Sequence, residues 1–134
     1  MMAGATVRVA GINEYGLLDM NQCSLEGLSA IMPVLFNGRH TPSWAIDAQH
    51  IYDACQAFPH YPGNGKYYPS RDIACYSLSV AKIISTGQGG FCATRSEALY
   101  KELLALRTHD VADAMVPQVL EWKRFGYNFR FTDI

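Results

Sequence analysis

The chain has 134 residues, with 11 Lys plus Arg against 12 Asp plus Glu and a formal net charge of −1. That length suits one domain, and an apolar fraction of 49% excludes disorder as a description of the whole. A charged fraction of 17%, against about a quarter in soluble domains, predicts that something else covers part of the surface.

A pI near 6.4 without a basic run excludes nucleic acid as the main partner. The opening MMAGATVRVAGI lacks a cationic segment leading into an apolar one, and no apolar run reaches bilayer length. The expectation is a cytoplasmic protein with no membrane segment. Thr6–Ile12 reads as a first strand, and a short helix is expected after Ser24. Ser29–Phe36, Ala45–Tyr52, Ile73–Val80 and Gly90–Thr94 read as further strands. Their runs are continuous rather than alternating (AIMPVLF, IACYSLSV), as in strands covered on both faces. Pro33 weakens the second run, because proline cannot donate to a ladder.

The segment Pro59–Arg71, rich in Pro, Gly and Tyr, reads as a loop. A helix is expected from Ser96 as its cap, with a Glu97–Lys101 pair and Leu99, Leu103 and Leu106 along one face. Another is expected over Pro117–Lys123, ending before Gly126. The spacing between strands leaves too little chain for helical crossovers after Phe36 and after Val80. Some strands are therefore antiparallel, or the covering helices come from elsewhere.

Cys23, Cys55, Cys75 and Cys92 form no CxxC pair, so no zinc site is expected, and the last three read as buried thiols in apolar runs. The histidines at 40, 50, 60 and 109 have no partner at helical spacing and read mostly as loop residues. Gly63–Lys66 departs from a phosphate loop, with His60 and Tyr67 where that motif needs Gly and Ser or Thr. Thr86–Gly90 lacks the spacing of a dinucleotide fingerprint, and no nucleophile elbow surrounds Ser77.

Two predicted strand ends carry chemistry. Asp53-Ala54-Cys55-Gln56 follows one, and Ala81-Lys82 with the glycine-rich Ser85–Gly90 follows the other. A lysine there can form a Schiff base with a carbonyl, and an aspartate can pair with a protonated pyridine nitrogen. The same residues also read as a surface lysine, a capping aspartate and a hairpin turn.

Three stretches and an ending settle which family the pattern resembles. Tyr52-Asp53-Ala54-Cys55-Gln56-Ala57-Phe58, then Asp72 through Lys82 (DIACYSLSVAK), then Thr86–Gly90 (TGQGG), and finally Gly126–Ile134 (GYNFRFTDI) occur in order and spacing. Together they resemble the DegT/DnrJ/StrS sugar aminotransferases. The resemblance implies an α/β, mostly parallel sheet of the type I pyridoxal-phosphate-dependent transferase fold, aspartate aminotransferase-like. It implies pyridoxal 5'-phosphate as cofactor. It further implies Lys82 as the Schiff-base lysine that also moves a proton, Asp53 on the pyridine nitrogen, and Gln56 against the ring. Ser77 would serve the phosphate, and Asn128 would reach the phosphate of a neighbouring subunit in a homodimer.

The segment between Phe36 and Tyr52 is contracted relative to the family. The family's Ser-Gly-Thr phosphate cup and aromatic lid have no counterpart before Ala3, and its small closing domain has none after Ile134. Residues 1–134 are thus expected to be a partial cofactor-binding large domain. The function expected is amino transfer, with glutamate as donor, to a keto sugar linked to a nucleotide. The alternatives are an inactive fragment or a subunit that another chain completes, and a small module binding an anionic aromatic ligand.

Overall fold

The computed structural model describes residues 4–41, 46–58, 72–107 and Tyr127. At its centre is a four-stranded sheet of β1 (Ala30–Ile31), β2 (Gln49–Asp53), β3 (Ile73–Ser77) and β4 (Gly90–Thr94), in that spatial order. β1 and β3 run parallel to β2, whereas β4 is antiparallel to β3. The antiparallel pair resolves the short connection after β3, since a return strand needs no crossover.

The run Ser29–Phe36 lies alongside β2 further than β1 alone suggests. Gln49 N–H donates to Ser29 O at 3.0 Å, Asp53 N–H to Pro33 O at 2.9 Å, and Leu35 N–H to Asp53 O at 2.9 Å. Val34 bridges Asp53 in the same register that pairs Ile31 with His50. Pro33 has no N–H to give, so the ladder is interrupted there and the regular strand shrinks to two residues. Burial still alternates through Ile31, Pro33 and Leu35, as an extended segment on a core demands.

Alternation also corrects the expectation of strands covered on both faces. In β2 and β3, His50, Tyr52, Ala74 and Tyr76 are buried, while Ile51, Asp53, Ile73, Cys75 and Ser77 are half-buried. The core gathers on the first face from Leu35, Tyr52, Ala54, Ala57, Ala74 and Tyr76, with Phe58 against it. The Tyr76 ring stacks on Phe91 at 4.7 Å between centroids, and Phe58 meets both edge-on at 6.0 Å. His50 is buried here too, its Nδ1 3.7 Å from the buried Asp72 carboxylate, so it is not a loop histidine.

Ser96 caps α1 (Glu97–Arg107) as its sequence predicts, its Oγ accepting from Leu99 N–H at 3.2 Å. Lys101 Nζ lies 2.7 Å from Glu97 Oε1. Leu99, Leu103 and Leu106 are half-buried, and α1 packs along β4. Two expectations fail. Thr6–Ile12 forms no strand: Val7 and Val9 are exposed, and only Ile12 bridges Leu18. After Ser24 there is a turn closed by Leu28 N–H on Leu25 O, not a helix. The segments Pro59–Arg71 and Pro117–Lys123 lie outside the described residues.

Candidate active site

Ligands of open α/β sheets sit outside the carboxyl ends of the strands. A cleft of about 260 Å³ opens at the carboxyl ends of β2 and β3, and Gln56, Ser77 and Lys82 line it with Cys55, Phe58 and Ile83.

Ser77 ends β3, and its Oγ accepts from Ser79 N–H at 3.3 Å. That use of the oxygen leaves the hydroxyl proton to be donated elsewhere. The chain then turns back on itself. Lys82 N–H donates to Ser79 O and Thr86 N–H to Leu78 O, both at 3.0 Å, which returns Lys82 to the strand end. Leu78 N–H donates to Gly89 O at 2.9 Å and starts the antiparallel ladder to β4. Gly89 has φ of 106°, a conformation that side chains rarely adopt, and a Cβ at Gly90 would collide with the Tyr76 carbonyl. The glycines of Thr86–Gly90 thus serve the return from the site to the sheet.

Gln56 comes from the turn after β2, and its Oε1 accepts from Asn37 N–H at 3.1 Å. Asp53 ends β2 but does not line the cleft. Its Oδ1 accepts from Cys55 N–H at 3.0 Å, the capping arrangement its sequence also allows. A carboxylate keeps a second oxygen for another donor. Burial first, and then the Asp53 side chain, push the Cys55 thiol up to about 11, with the Lys82 charge acting in the opposite direction. Asp53 and Lys82 therefore share one electrostatic neighbourhood centred on Cys55. Asn128 lies outside the described residues.

Three of the five predicted residues meet in the cleft, and a fourth stands beside it. Cys55, Phe58 and Ile83 were missed as its walls. Their closeness in sequence to Asp53 and Lys82 was the available signal, but apolar walls carry no motif of their own. Among the described residues no cluster of three or more His, Cys, Asp or Glu could hold a metal ion, and no helix is long and apolar enough to cross a membrane.

The architecture is that of the type I pyridoxal-phosphate aminotransferases. It superposes on PseC of Helicobacter pylori, an aminotransferase involved in the biosynthesis of pseudoaminic acid, with a TM-score of 0.69 and 22% identity over 97% of this chain and 38% of that one. NtdA of Bacillus subtilis, solved with bound cofactor PMP, gives a TM-score of 0.64 and 23% identity over 84% of this chain and 27% of that one. An aminotransferase from Psychrobacter cryohalolentis gives 0.54 and 19% over 83% and 32%. The chain thus spans well under half the length of these structures. No curated protein sequence matches it. The chain belongs to the DegT/DnrJ/EryC1/StrS aminotransferase family, whose pattern matches residues 26–134.

That family depends on pyridoxal phosphate, and the donor set fits it. A primary amine, a hydroxyl with its proton to give and an amide meet in one cleft, with a carboxylate at its edge.

Proposed function

We propose that this chain supplies the lysine-bearing part of the active site of a pyridoxal-phosphate-dependent aminotransferase acting on keto sugars linked to a nucleotide, with glutamate as the amino donor. The observation that carries this reading is the meeting of Gln56, Ser77 and Lys82 at the carboxyl ends of β2 and β3.

When bound, pyridoxal phosphate supplies an electron sink for amino transfer. Lys82 Nζ would hold the cofactor through its aldehyde and would take up and return a proton. The Ser77 hydroxyl, oriented by Ser79 N–H, would donate to the phosphate. The Asp53 carboxylate favours a protonated ring nitrogen by charge, and Gln56 bounds the ring. Asn128 would serve the phosphate of a neighbouring subunit in a homodimer.

Residues 1–134 act as part of a larger cofactor-binding domain, completed by further protein in the same or another chain. Support comes from apolar side chains left in the open, with Val9 94%, Ile83 80% and Val80 78% exposed, the last two within two residues of Lys82. The enzyme proposed is cytoplasmic and takes a small sugar substrate.

The test is borohydride reduction of the full chain with pyridoxal phosphate, followed by peptide mapping. A pyridoxyl group fixed on Lys82, and lost in Lys82→Ala, is expected. Equal labelling of Lys66, Lys101 and Lys123, or no labelling, would overturn the reading.

A further inference from the structure

β3 and β4 set two cysteines directly opposite each other. Cys75 pairs with Cys92 in the ladder, and their sulfurs lie 3.7 Å apart. The hydrogen bond from Leu78 N–H to Gly89 O marks that opposed pair as a hydrogen-bonded one. Alternation along an antiparallel ladder then puts Cys75 and Cys92, three steps away, at a non-hydrogen-bonded position, where side chains approach most closely. Opposed Cα atoms in such ladders lie about 4.5–5.5 Å apart, inside the range of about 4.4–6.8 Å that disulfides span. Closing the bond needs side-chain rotation, not strand movement.

The two thiols are also unequal. Cys92 is exposed on the outer strand, whereas Cys75 is half-buried. The hydrogen bond that the two thiols share raises the proton affinity of Cys75 and draws the Cys92 thiol down to about 7, against the opposing effect of burial. An accessible thiolate beside a protonated, sheltered thiol is the division of labour of an attacking and a resolving cysteine. The third thiol nearby, Cys55, is turned to the Cys75 carbonyl at 3.8 Å and pushed up to about 11, mainly by burial. It is not the attacking group.

We propose that Cys75 and Cys92 form a reversible dithiol–disulfide couple that reacts with small-molecule disulfides of the glutathione class. The Cys92 thiolate attacks one sulfur of the small disulfide, forms a mixed disulfide and expels one thiolate. Cys75 gives its proton to that thiolate and attacks the Cys92 sulfur, which forms the cross-strand bond and expels the second small thiolate, protonated by water. Two electrons pass from the two protein thiols to the small disulfide, which leaves as two thiols. The bond ties β3 to β4 at the level where Cys75 also pairs with Asp53 of β2. Nothing in this couple requires the cofactor, so it stands or fails separately from amino transfer.

The full chain is incubated with oxidised glutathione and analysed by intact mass and peptide mapping. Loss of two hydrogens, a Cys75–Cys92 cross-linked peptide, Cys23 and Cys55 still alkylatable, and full reversal by dithiothreitol are expected. Cys75→Ser should instead hold a lasting glutathione adduct on Cys92, and Cys92→Ser should slow the first step by more than about tenfold. A lasting adduct on the unsubstituted chain, a cross-link through Cys23 or Cys55, or no reaction would overturn the proposal. The decisive readout uses the unsubstituted chain, so poor folding of a variant does not rescue the idea.

Discussion

The two faces of the sheet are built from alternate residues of the same strands, yet they do different work. One carries His50, Tyr52, Ala74 and Tyr76, buried against Leu35, Ala54 and Ala57. The other carries Asp53, Cys75 and Ser77 in half-buried positions, beside the exposed Cys92. Ladder pairing fixes both faces at once, so the packed face positions the reactive one to within a side-chain rotation. Stability and chemistry are therefore separable by single steps along the chain, and neighbouring substitutions should behave oppositely.

Tyr76 and Ser77 give the largest contrast. Tyr76→Ala removes a buried ring stacked on Phe91 and met edge-on by Phe58. It should cost about 3–5 kcal/mol of folding stability, read from the denaturant midpoint at unchanged slope. Ser77→Ala, on the other face, loses only the Ser79 N–H acceptor and should shift that midpoint by about 1 kcal/mol or less. It should weaken pyridoxal phosphate binding roughly 10–100-fold, because a charge-assisted hydrogen bond is worth about 1.5–3 kcal/mol. Equal folding losses at both positions would erase the distinction between the faces.

Much of the reactive face was legible in the sequence, and the reason is local. Ser77, Lys82 and the glycines of Thr86–Gly90 lie within one strand end and its return turn, so their spacing is their geometry. Gly90–Thr94 and the helix after Ser96 carried their own propensity and cap, and both formed where expected. The packed face was harder to read. In IACYSLSV the small Cys75 and Ser77 alternate with Ala74 and Tyr76, and the apolar character of cysteine hides the period of two. Thr6–Ile12 has strand propensity, but a strand needs a neighbour, and propensity cannot supply one. The Cys75–Cys92 pairing depends on the register across the β3–β4 turn, which neither residue encodes.

On the packed face, alkaline pH acts through Tyr52. Burial first, and then the negative charge of Asp72, push the Tyr52 hydroxyl up to about 12 from its ordinary 10. The unfolded chain therefore loses this proton first. The contribution is fully present below pH 10 and is lost as pH rises through 12. Stability should decline over that window with a slope approaching one proton. In Tyr52→Phe that share of the slope should vanish, as stability measured against pH would show. An unchanged slope would mean that Tyr52 ionises as easily folded as unfolded.

The smallest effect concerns α1, which belongs to neither face but packs along the outer strand that both share. It borders a groove of about 680 Å³ with β4, lined by Phe91 and Cys92 on one side and Leu103 and Leu106 on the other. Ser96→Ala removes the acceptor for Leu99 N–H and should cost about 1 kcal/mol. Where that cost appears is the informative part. If helix and sheet unfold together, the midpoint shifts equally by circular dichroism and by tyrosine fluorescence. If α1 opens by itself, only the helical signal falls, and the Cys92 thiol of β4 becomes faster to alkylate at an unchanged global midpoint. Coincident shifts are expected, because Leu99, Leu103 and Leu106 are half-buried and the helix packs on the strand that carries Cys92.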